Sequence, residues 1–365
     1  MTRGVVLALL LTTGATVMSA ADPTFIAASD PGFTVSGAAI SELVTEGDAV
    51  ARRLHRPLDM PGKGYGWDNP GAEIAFRTAA RSVSVRLRYS AAHISTSARN
   101  GIGLVVVDDA WRSATTFNDG NRAVQRAVTT IDVPLKVPAA AGEHRYRIVL
   151  PYGDSVDFLG ASVESGASIA ADDQPKRPRW VAYGDSVTQG FEASHIGTSY
   201  GWQVAQLRGW ELLNLGLGGR VCVPGDASAI AGLAPDLVTI AIGVNDWQGG
   251  IPPATYGAHL ATLLDQLNAL RPATRIAVLS PLWVGDDWKP AGAKQPLADY
   301  RSAAEATVAA RPWAQFVDGA SLIAHERALF NRTAVHPNDQ GFAQMAEHLA
   351  ATLFPSVPPA PAANH

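Results

Sequence analysis

The chain has 365 residues, which is long for one domain, so two domains are the first expectation. Apolar residues at 47% and charged residues at 17% exclude a globally disordered chain. The formal net charge is -4 and no lysine- or arginine-rich block stands out, which argues against a nucleic-acid partner bound through its phosphates. Cys222 is the only cysteine, so neither an internal disulfide nor a cysteine-based metal site is expected.

Residues 1–21 have the pattern of a secretory signal peptide. Arg3 precedes an apolar run over residues 5–11, and small residues follow at positions 19–21. The apolar run is too short to cross a bilayer, and no later stretch is long and apolar enough to do so. The pattern predicts a protein that is secreted, to the periplasm or the exterior, with no membrane span.

Residues 22–171 predict an all-β accessory domain. Apolar and polar residues alternate with period two, or form short apolar runs, and turn-forming residues separate these segments. No helical period is convincing in this part of the chain. We therefore expect an antiparallel β-sandwich, of the jelly-roll type, with strands that include Val83–Tyr89, Ile102–Val107, Val124–Val133 and Tyr146–Leu150.

The period changes after a polar, proline-containing linker at residues 172–178. Over residues 179–354, strand-like runs alternate with amphipathic helical stretches, which predicts a parallel sheet covered by helices on both faces. The proline-rich residues 355–365 are expected to be a disordered tail. The strand-like runs are Trp180–Tyr183, Leu212–Leu215, Leu237–Ile242, Ile276–Ser280 and Gln315–Val317.

Ser186 follows the first of these strands in a Gly-Asp-Ser turn, at the sheet edge where open α/β proteins hold their ligands. Serine is a weak nucleophile unless a base takes its proton and donors receive the charge that forms on the substrate. Three later segments offer such groups. They are Asn214–Gly219 and Gly243–Asp246, which end the second and third strands, and His336–Asp339, which precedes the last helix.

These segments together resemble the SGNH, or GDSL-type, esterase superfamily over most of residues 179–354. The resemblance implies that Ser186 is the nucleophile and His336 the general base. It also implies an oxyanion hole made of the backbone N–H groups of Ser186 and Gly219 and the side-chain amide of Asn245, with no metal and no cofactor. Thr188 stands where the elbow of α/β-hydrolases requires glycine, which favours a flavodoxin-like sheet of about five parallel strands.

One departure from the family concerns the residue that orients His336. The family commonly has aspartate three residues before its histidine, and this chain has Thr333 there. A triad aspartate selects the imidazole tautomer and stabilises its charged form. We expect a Ser-His dyad in which a backbone carbonyl near Thr333 accepts from Nδ1, with Asp318 as the other candidate. A second departure is Gly218, where the family often has serine.

The sequence leaves the substrate open. Family members that join a small β-sandwich to this catalytic domain often remove acetyl groups from carbohydrates, so a polysaccharide or small-molecule ester is expected. An acyltransferase, or an esterase acting on aryl or lipid esters, is the alternative, and a carbohydrate-binding protein with a weakened catalytic domain is another. Three tryptophans after the third and fourth strands either wall the pocket or serve interdomain packing: Trp247, Trp283 and Trp288.

Overall fold

The computed structural model describes residues 22–354, except 91–92, 94–100, 102, 110–114, 117–127 and 287, and describes only the backbone at 115–116. The predicted signal peptide and the predicted tail lie outside the described residues. Within the described part, the first half of the chain consists of strands β1 Thr24–Ala27, β2 Thr34–Ser36, β3 Ile40–Glu46, β4 Ala49–His55, β5 Glu73–Thr78, β6 Val83–Tyr89, β7 Leu104–Val107, β8 Thr115–Thr116, β9 Thr129–Pro134, β10 His144–Val149 and β11 Val156–Val163.

These strands, the N-terminal β unit, form two antiparallel sheets. One has the order β3-β4-β11-β6-β9 with β1 also paired to β11, and the other has the order β2-β5-β10-β7-β8. Apolar side chains of both sheets share one core, in which Val85 and Leu87 meet Ile74 and Ile148. The prediction of antiparallel β-structure is confirmed, and the alternation in Val83–Tyr89 appears as alternating buried and half-buried side chains.

The remaining elements form the C-terminal α/β unit. The described residues of this unit contain β12 Arg179–Gly184, α1 Ser186–Gln189, α2 Tyr200–Arg208, β13 Glu211–Gly216, α3 Ala227–Gly232, β14 Leu237–Ala241, α4 Val244–Gln248, α5 Pro253–Leu270, β15 Arg275–Leu279, α6 Leu297–Ala309, β16 Ala314–Val317 and α7 Asp339–Leu353.

Strands β12 to β16 form a parallel sheet in the order β13-β12-β14-β15-β16, as expected from the five apolar runs. Alternate side chains of β12 enter different cores, with Trp180 and Ala182 on the face of α2 and α7, and Val181 and Tyr183 on the face of α3, α5 and α6. In α5 the predicted apolar face is buried except at its end, where Leu270 is exposed.

Strand β7 of the second antiparallel sheet is apolar on both faces. In β7, Val105 and Val107 point into the core of the β unit, whereas Leu104 and Val106 join the core that contains α2 and α7. Leu104 packs so closely on Gly197 that a Cβ atom at that glycine would lie 2.4 Å from Leu104 Cδ1. The two units are therefore joined by a continuous apolar layer in addition to the predicted linker.

We expect Leu104→Ala to destabilise the whole chain rather than the β unit alone. Removing a fully buried leucine leaves a cavity and costs about 2–5 kcal/mol in the free energy of unfolding. Because both units share this layer, denaturant unfolding followed by far-UV and near-UV circular dichroism gives one coincident transition, shifted to lower denaturant. The control Leu43→Ala, at an exposed position of β3, changes the free energy of unfolding by less than about 0.5 kcal/mol. Two separate transitions in the wild type would contradict a shared layer.

Candidate active site

Ser186 occupies the first position of a one-turn helix at the end of β12. The carboxylate of Asp185 caps this helix by accepting a hydrogen bond from the Val187 N–H at 2.9 Å. Gly184 gives the turn its room, because a Cβ atom there would lie 2.0 Å from Thr188 Oγ1. The N–H groups of the first helical turn have no carbonyl partner within the helix, so the Ser186 N–H is free to serve as a donor to an anion.

The hydroxyl of Ser186 meets the imidazole of His336, with Oγ and Nε2 2.8 Å apart. His336 lies just before α7, whose first N–H groups are capped by the side chain of Asn338. The loop before it is closed by a β-bridge between Phe330 and Pro337. The fold thus brings together a hydroxyl and an imidazole that are 150 residues apart in the chain.

The segments with the predicted oxyanion donors adjoin the Ser186 helix. Gly216 packs against it, since a Cβ atom there would lie 2.1 Å from the Gln189 N–H nitrogen. Gly219 has φ of 85°, a conformation that favours glycine. Asn245 donates from Nδ2 to the Arg220 carbonyl at 3.2 Å and so ties its own loop to the loop of Gly219. A second N–H of the Asn245 amide is still available.

Buried carboxyl groups stabilise the loops around this site. The side chain of Asp246 accepts from the Cys222 N–H at 3.1 and 3.2 Å, which fixes the chain just beyond Gly219. Burial raises the pKa of Asp246 to about 6 and that of Asp185 to about 7. All these segments lie at the carboxyl ends of β12, β13 and β14, where the strand order reverses.

Neither predicted partner of His336 Nδ1 lies at that atom among the described contacts. Asp318 caps a turn instead, since its Oδ1 accepts from Ser280 Oγ and the Ala320 N–H. The group facing Nδ1 is the side-chain amide of Asn331, with Nδ2 3.5 Å away. Its Oδ1 accepts from the N–H and Oγ1 of Thr333. If Nε2 is to accept a proton from Ser186, the neutral imidazole must carry its own proton on Nδ1, and the amide must then turn its oxygen toward that atom. A neutral amide thus occupies the place of an acid.

The absence of a carboxylate among these contacts has an electrostatic consequence. Burial lowers the pKa of His336 to about 4, because desolvation disfavours the imidazolium. The imidazole is therefore neutral, and competent to accept a proton, from mildly acidic to basic pH.

The three tryptophans lie in different surroundings. Trp247 is buried in the α/β unit, contacts Trp288 edge to face, and donates from Nε1 to the Gln295 carbonyl at 2.8 Å. Trp283 stacks on His325 and contacts Phe330.

A small apolar cavity of about 30 Å³ lies beside the site. It touches both sequence neighbours of Ser186, namely Asp185 and Val187, and the residues that precede Asn245 and His336 in the chain. Apolar side chains of the β15 loop complete it, including Leu282 and Val284. The three tryptophans are not part of its lining.

Residues 182–344 match the model of the GDSL-like Lipase/Acylhydrolase family. The fold and this match support an ester hydrolase. A comparison with curated protein sequences finds no match.

Solved structures share the fold of both units. A salicylyl-acyltransferase, SsfX3, from a tetracycline biosynthetic pathway superposes with a TM-score of 0.77 at 21% identity, over 92% of this chain and 99% of that one. A putative GDSL-like lipase from Bacteroides ovatus gives 0.71 at 19% identity, covering 93% and 99% of the two chains. A family two carbohydrate esterase from Cellvibrio japonicus gives 0.63 at 20% identity, covering 91% and 97%. The two-part architecture is therefore shared with this group of structures.

We expect the acid limb of kcat/KM for a p-nitrophenyl ester to have an apparent pKa near 4 rather than near 6.5, the ordinary value for histidine. The general base must be neutral, so activity falls only as the pH drops through the pKa of His336. Rates are measured from pH 3.5 upward, with circular dichroism at each pH to show that the protein remains folded. An acid limb with an apparent pKa between about 6 and 7, measured while the protein is folded, contradicts the assignment of the low pKa to His336.

A matched pair of variants tests the cause of this low pKa. Asn331→Asp places a carboxylate at Nδ1 and is expected to move the acid limb up by about one to three pH units. Thr333→Val removes a hydrogen bond to Asn331 without adding charge, and should leave the limb unchanged.

Proposed function

We propose that this protein is a serine esterase in which Ser186 forms an acyl-enzyme with His336 as the base. The observation that carries the proposal is the 2.8 Å contact between Oγ and Nε2 beside the loops of Gly219 and Asn245. Oγ attacks the ester carbonyl carbon while Nε2 takes its proton. The Ser186 and Gly219 N–H groups and the Asn245 amide stabilise the oxyanion. The imidazolium then protonates the departing alcohol.

Deacylation repeats these steps with water. His336 takes a proton from the water, the hydroxide adds to the acyl carbon, and the tetrahedral anion collapses to a carboxylic acid with return of the proton to Ser186 Oγ. The neutral Asn331 leaves the imidazolium without a carboxylate partner, so the catalytic pair is a dyad whose charged form is stabilised only by surrounding dipoles.

The acyl group that this site accepts is small. The cavity beside Ser186 has room for about two water-sized groups and is lined mainly by apolar side chains. An acetyl group fits such a space, whereas a long acyl chain does not. The likeness to a family two carbohydrate esterase supports a carbohydrate ester as the substrate, and the small cavity favours acetyl as the acyl group.

The N-terminal half of the chain is consistent with an exported enzyme that acts on carbohydrate esters. We infer that its two sheets form the jelly-roll sandwich expected from the sequence, and that the protein is exported through its first 21 residues. Among the described helices, none combines the length and the apolar character needed to cross a membrane. An exported enzyme reaches extracellular polysaccharides.

Acyl transfer is the second candidate function, favoured by the likeness to the salicylyl-acyltransferase. The same acyl-enzyme reacts with an alcohol if the alcohol binds and excludes water. The ratio of ester to free acid formed as alcohol concentration rises distinguishes the two. A ratio that saturates with one alcohol indicates a built acceptor site, whereas a shallow linear rise indicates hydrolysis with adventitious alcoholysis.

Fluorophosphonate labelling followed by intact-mass analysis tests the nucleophile. We expect a single adduct that is lost in Ser186→Ala. The control is Ser155→Ala, because Ser155 stands in an identical Tyr-Gly-Asp-Ser-Val segment of the β unit, where its Oγ donates to the Trp67 carbonyl. That variant should label like the wild type. Absence of an adduct in folded wild-type protein would instead favour a carbohydrate-binding protein with an inactive catalytic domain.

Acyl-chain preference tests the small cavity. For p-nitrophenyl esters, kcat/KM is expected to fall at least about tenfold from acetate to octanoate, since each methylene group that finds no space weakens transition-state binding. Leu282→Ala enlarges the cavity and should raise the rate with butyrate relative to acetate. Equal rates with acetate and octanoate in the wild type contradict the assignment of this cavity to the acyl group.

A further inference from the structure

The buried side chain of Gln189 attaches the loop of Gly219 to the N-terminal β unit. Its Oε1 accepts from the Gly218 N–H at 2.9 Å. Its Nε2 donates to the Tyr152 carbonyl at 2.9 Å and to Asp68 Oδ2 at 3.1 Å. Tyr152 and Asp68 both belong to the β unit, and Gln189 and Asp68 are almost inaccessible to solvent. One amide therefore connects the peptide before Gly219 to the other half of the molecule.

A second attachment holds the same loop from its other side. Arg56, buried in the β unit, donates from Nη1 to the Gly216 carbonyl at 2.6 Å and from Nη2 to the Tyr65 carbonyl. Burial lowers the pKa of Arg56 to about 10, and the nearby Asp68 opposes that shift. Asp68 is itself paired with His93 Nδ1 at 2.6 Å. Burying a guanidinium and a carboxyl group is costly unless they are hydrogen-bonded, so breaking these contacts would add to a cost already present at Arg56, whose buried Nε has no partner in the described structure.

Packing leaves the loop little freedom between the two attachments. A Cβ atom on Gly218 would lie 3.3 Å from both Gln189 Oε1 and Tyr65 Cε2, and one on Gly219 would meet Met60 Cε at 3.8 Å. The space that a serine would need at position 218 is thus narrowed by a tyrosine of the β unit. This explains physically why glycine stands at that departure from the family pattern.

We propose that the N-terminal β unit builds part of the oxyanion hole, with Gln189, Asp68 and Arg56 as positioning residues that aim the Gly219 N–H at the substrate oxygen. They hold the Gly216 carbonyl and the Gly218 N–H, which flank the peptide groups that determine the direction of that donor. None of the three touches the reacting atoms in this arrangement. The inference rests on the proposed esterase function and assigns the β unit a role in catalysis beyond substrate capture.

Gln189→Glu in the full-length protein tests this role. The substitution keeps an oxygen for the Gly218 N–H but replaces the donor to Asp68 and Tyr152 by a carboxylate. Loss of one well-aimed oxyanion donor costs about a hundred- to a thousandfold in kcat. We expect a fall of that order in kcat for p-nitrophenyl acetate, with KM changed less than about threefold. Inhibition by a boronic acid, whose tetrahedral anion uses the same hole, should weaken in proportion to kcat/KM.

Gln206→Glu is the matched control. Gln206 also joins the α/β unit to charged residues of the β unit, since its Oε1 accepts from Arg147 at 2.9 Å and its Nε2 donates to Glu73 at 3.4 Å. It contacts no residue of the candidate site in the described structure. This variant should keep kcat and boronate affinity within about twofold of the wild type even if its thermal stability falls.

The outcomes separate this inference from the proposed function. If the wild type shows no ester turnover, or if its turnover persists in Ser186→Ala, the proposed esterase function is refuted. An active wild type with a folded Gln189→Glu variant of equal kcat refutes the positioning role alone. Equal losses in the Gln189 and Gln206 variants also refute it, because general loosening of the junction would then suffice. Asp68→Asn, which preserves size and removes the charge, decides the matter by the same readouts if Gln189→Glu does not fold.

Discussion

Burial of polar groups where β12, β13 and β14 end is the constraint on which the rest of this structure depends. A nucleophile, a base and hydrogen-bond donors are useful together only if water is excluded and every other polar group nearby has a partner. The chain meets this demand with Asp185 capping α1 and Asp246 holding the Cys222 N–H. Once these loops are fixed, the hydroxyl of Ser186 and the imidazole of His336 meet without further adjustment.

The missing acid beside His336 shows how one substitution changes the chemistry expected of a site. A carboxylate at Nδ1 would raise the pKa of the imidazole and stabilise its charged form. With Asn331 there, the base is weaker but stays neutral at lower pH. In the proposed mechanism the driving force for proton transfer from Ser186 is then smaller, so the proposed oxyanion donors must supply more of the transition-state stabilisation. The reaction rate should then depend more strongly on the orientation of the donor N–H groups.

Local patterns in the sequence predicted most of the elements. The five apolar runs, the apolar face of α5 and the cap at Asn338 follow from periodicity and capping chemistry over a few residues. The roles of Ser186 and His336 were implied by the resemblance to the SGNH superfamily. The rule that strand ends share one sheet edge accounts for Ser186 but not for His336, which precedes a helix. The partner of Nδ1 escaped prediction because Asn331 lies in an irregular loop, whose side-chain directions no periodicity reports.

Contacts between the two halves were invisible for a different reason. Gln189 and Asp68 are 121 residues apart, and nothing in either segment alone signals their pairing. The pattern of β7 was equally ambiguous, since the sequence of a strand with two apolar faces is a plain apolar run. For the tryptophans the sequence left pocket wall and packing open, because position after a strand does not show that Trp247 lies in the core of the α/β unit.

The two apolar faces of β7 also limit how such a chain can change over evolutionary time. Leu104 and Val106 have their partners on α2 and the loop before it, so neither half can be exchanged for an unrelated one without leaving an uncovered apolar surface. The two halves are therefore expected to be inherited as a pair. Sequence changes are tolerated better in the loops that cross the junction than in the shared apolar layer. New specificities would then arise from remodelled loops of the first half rather than from replaced domains.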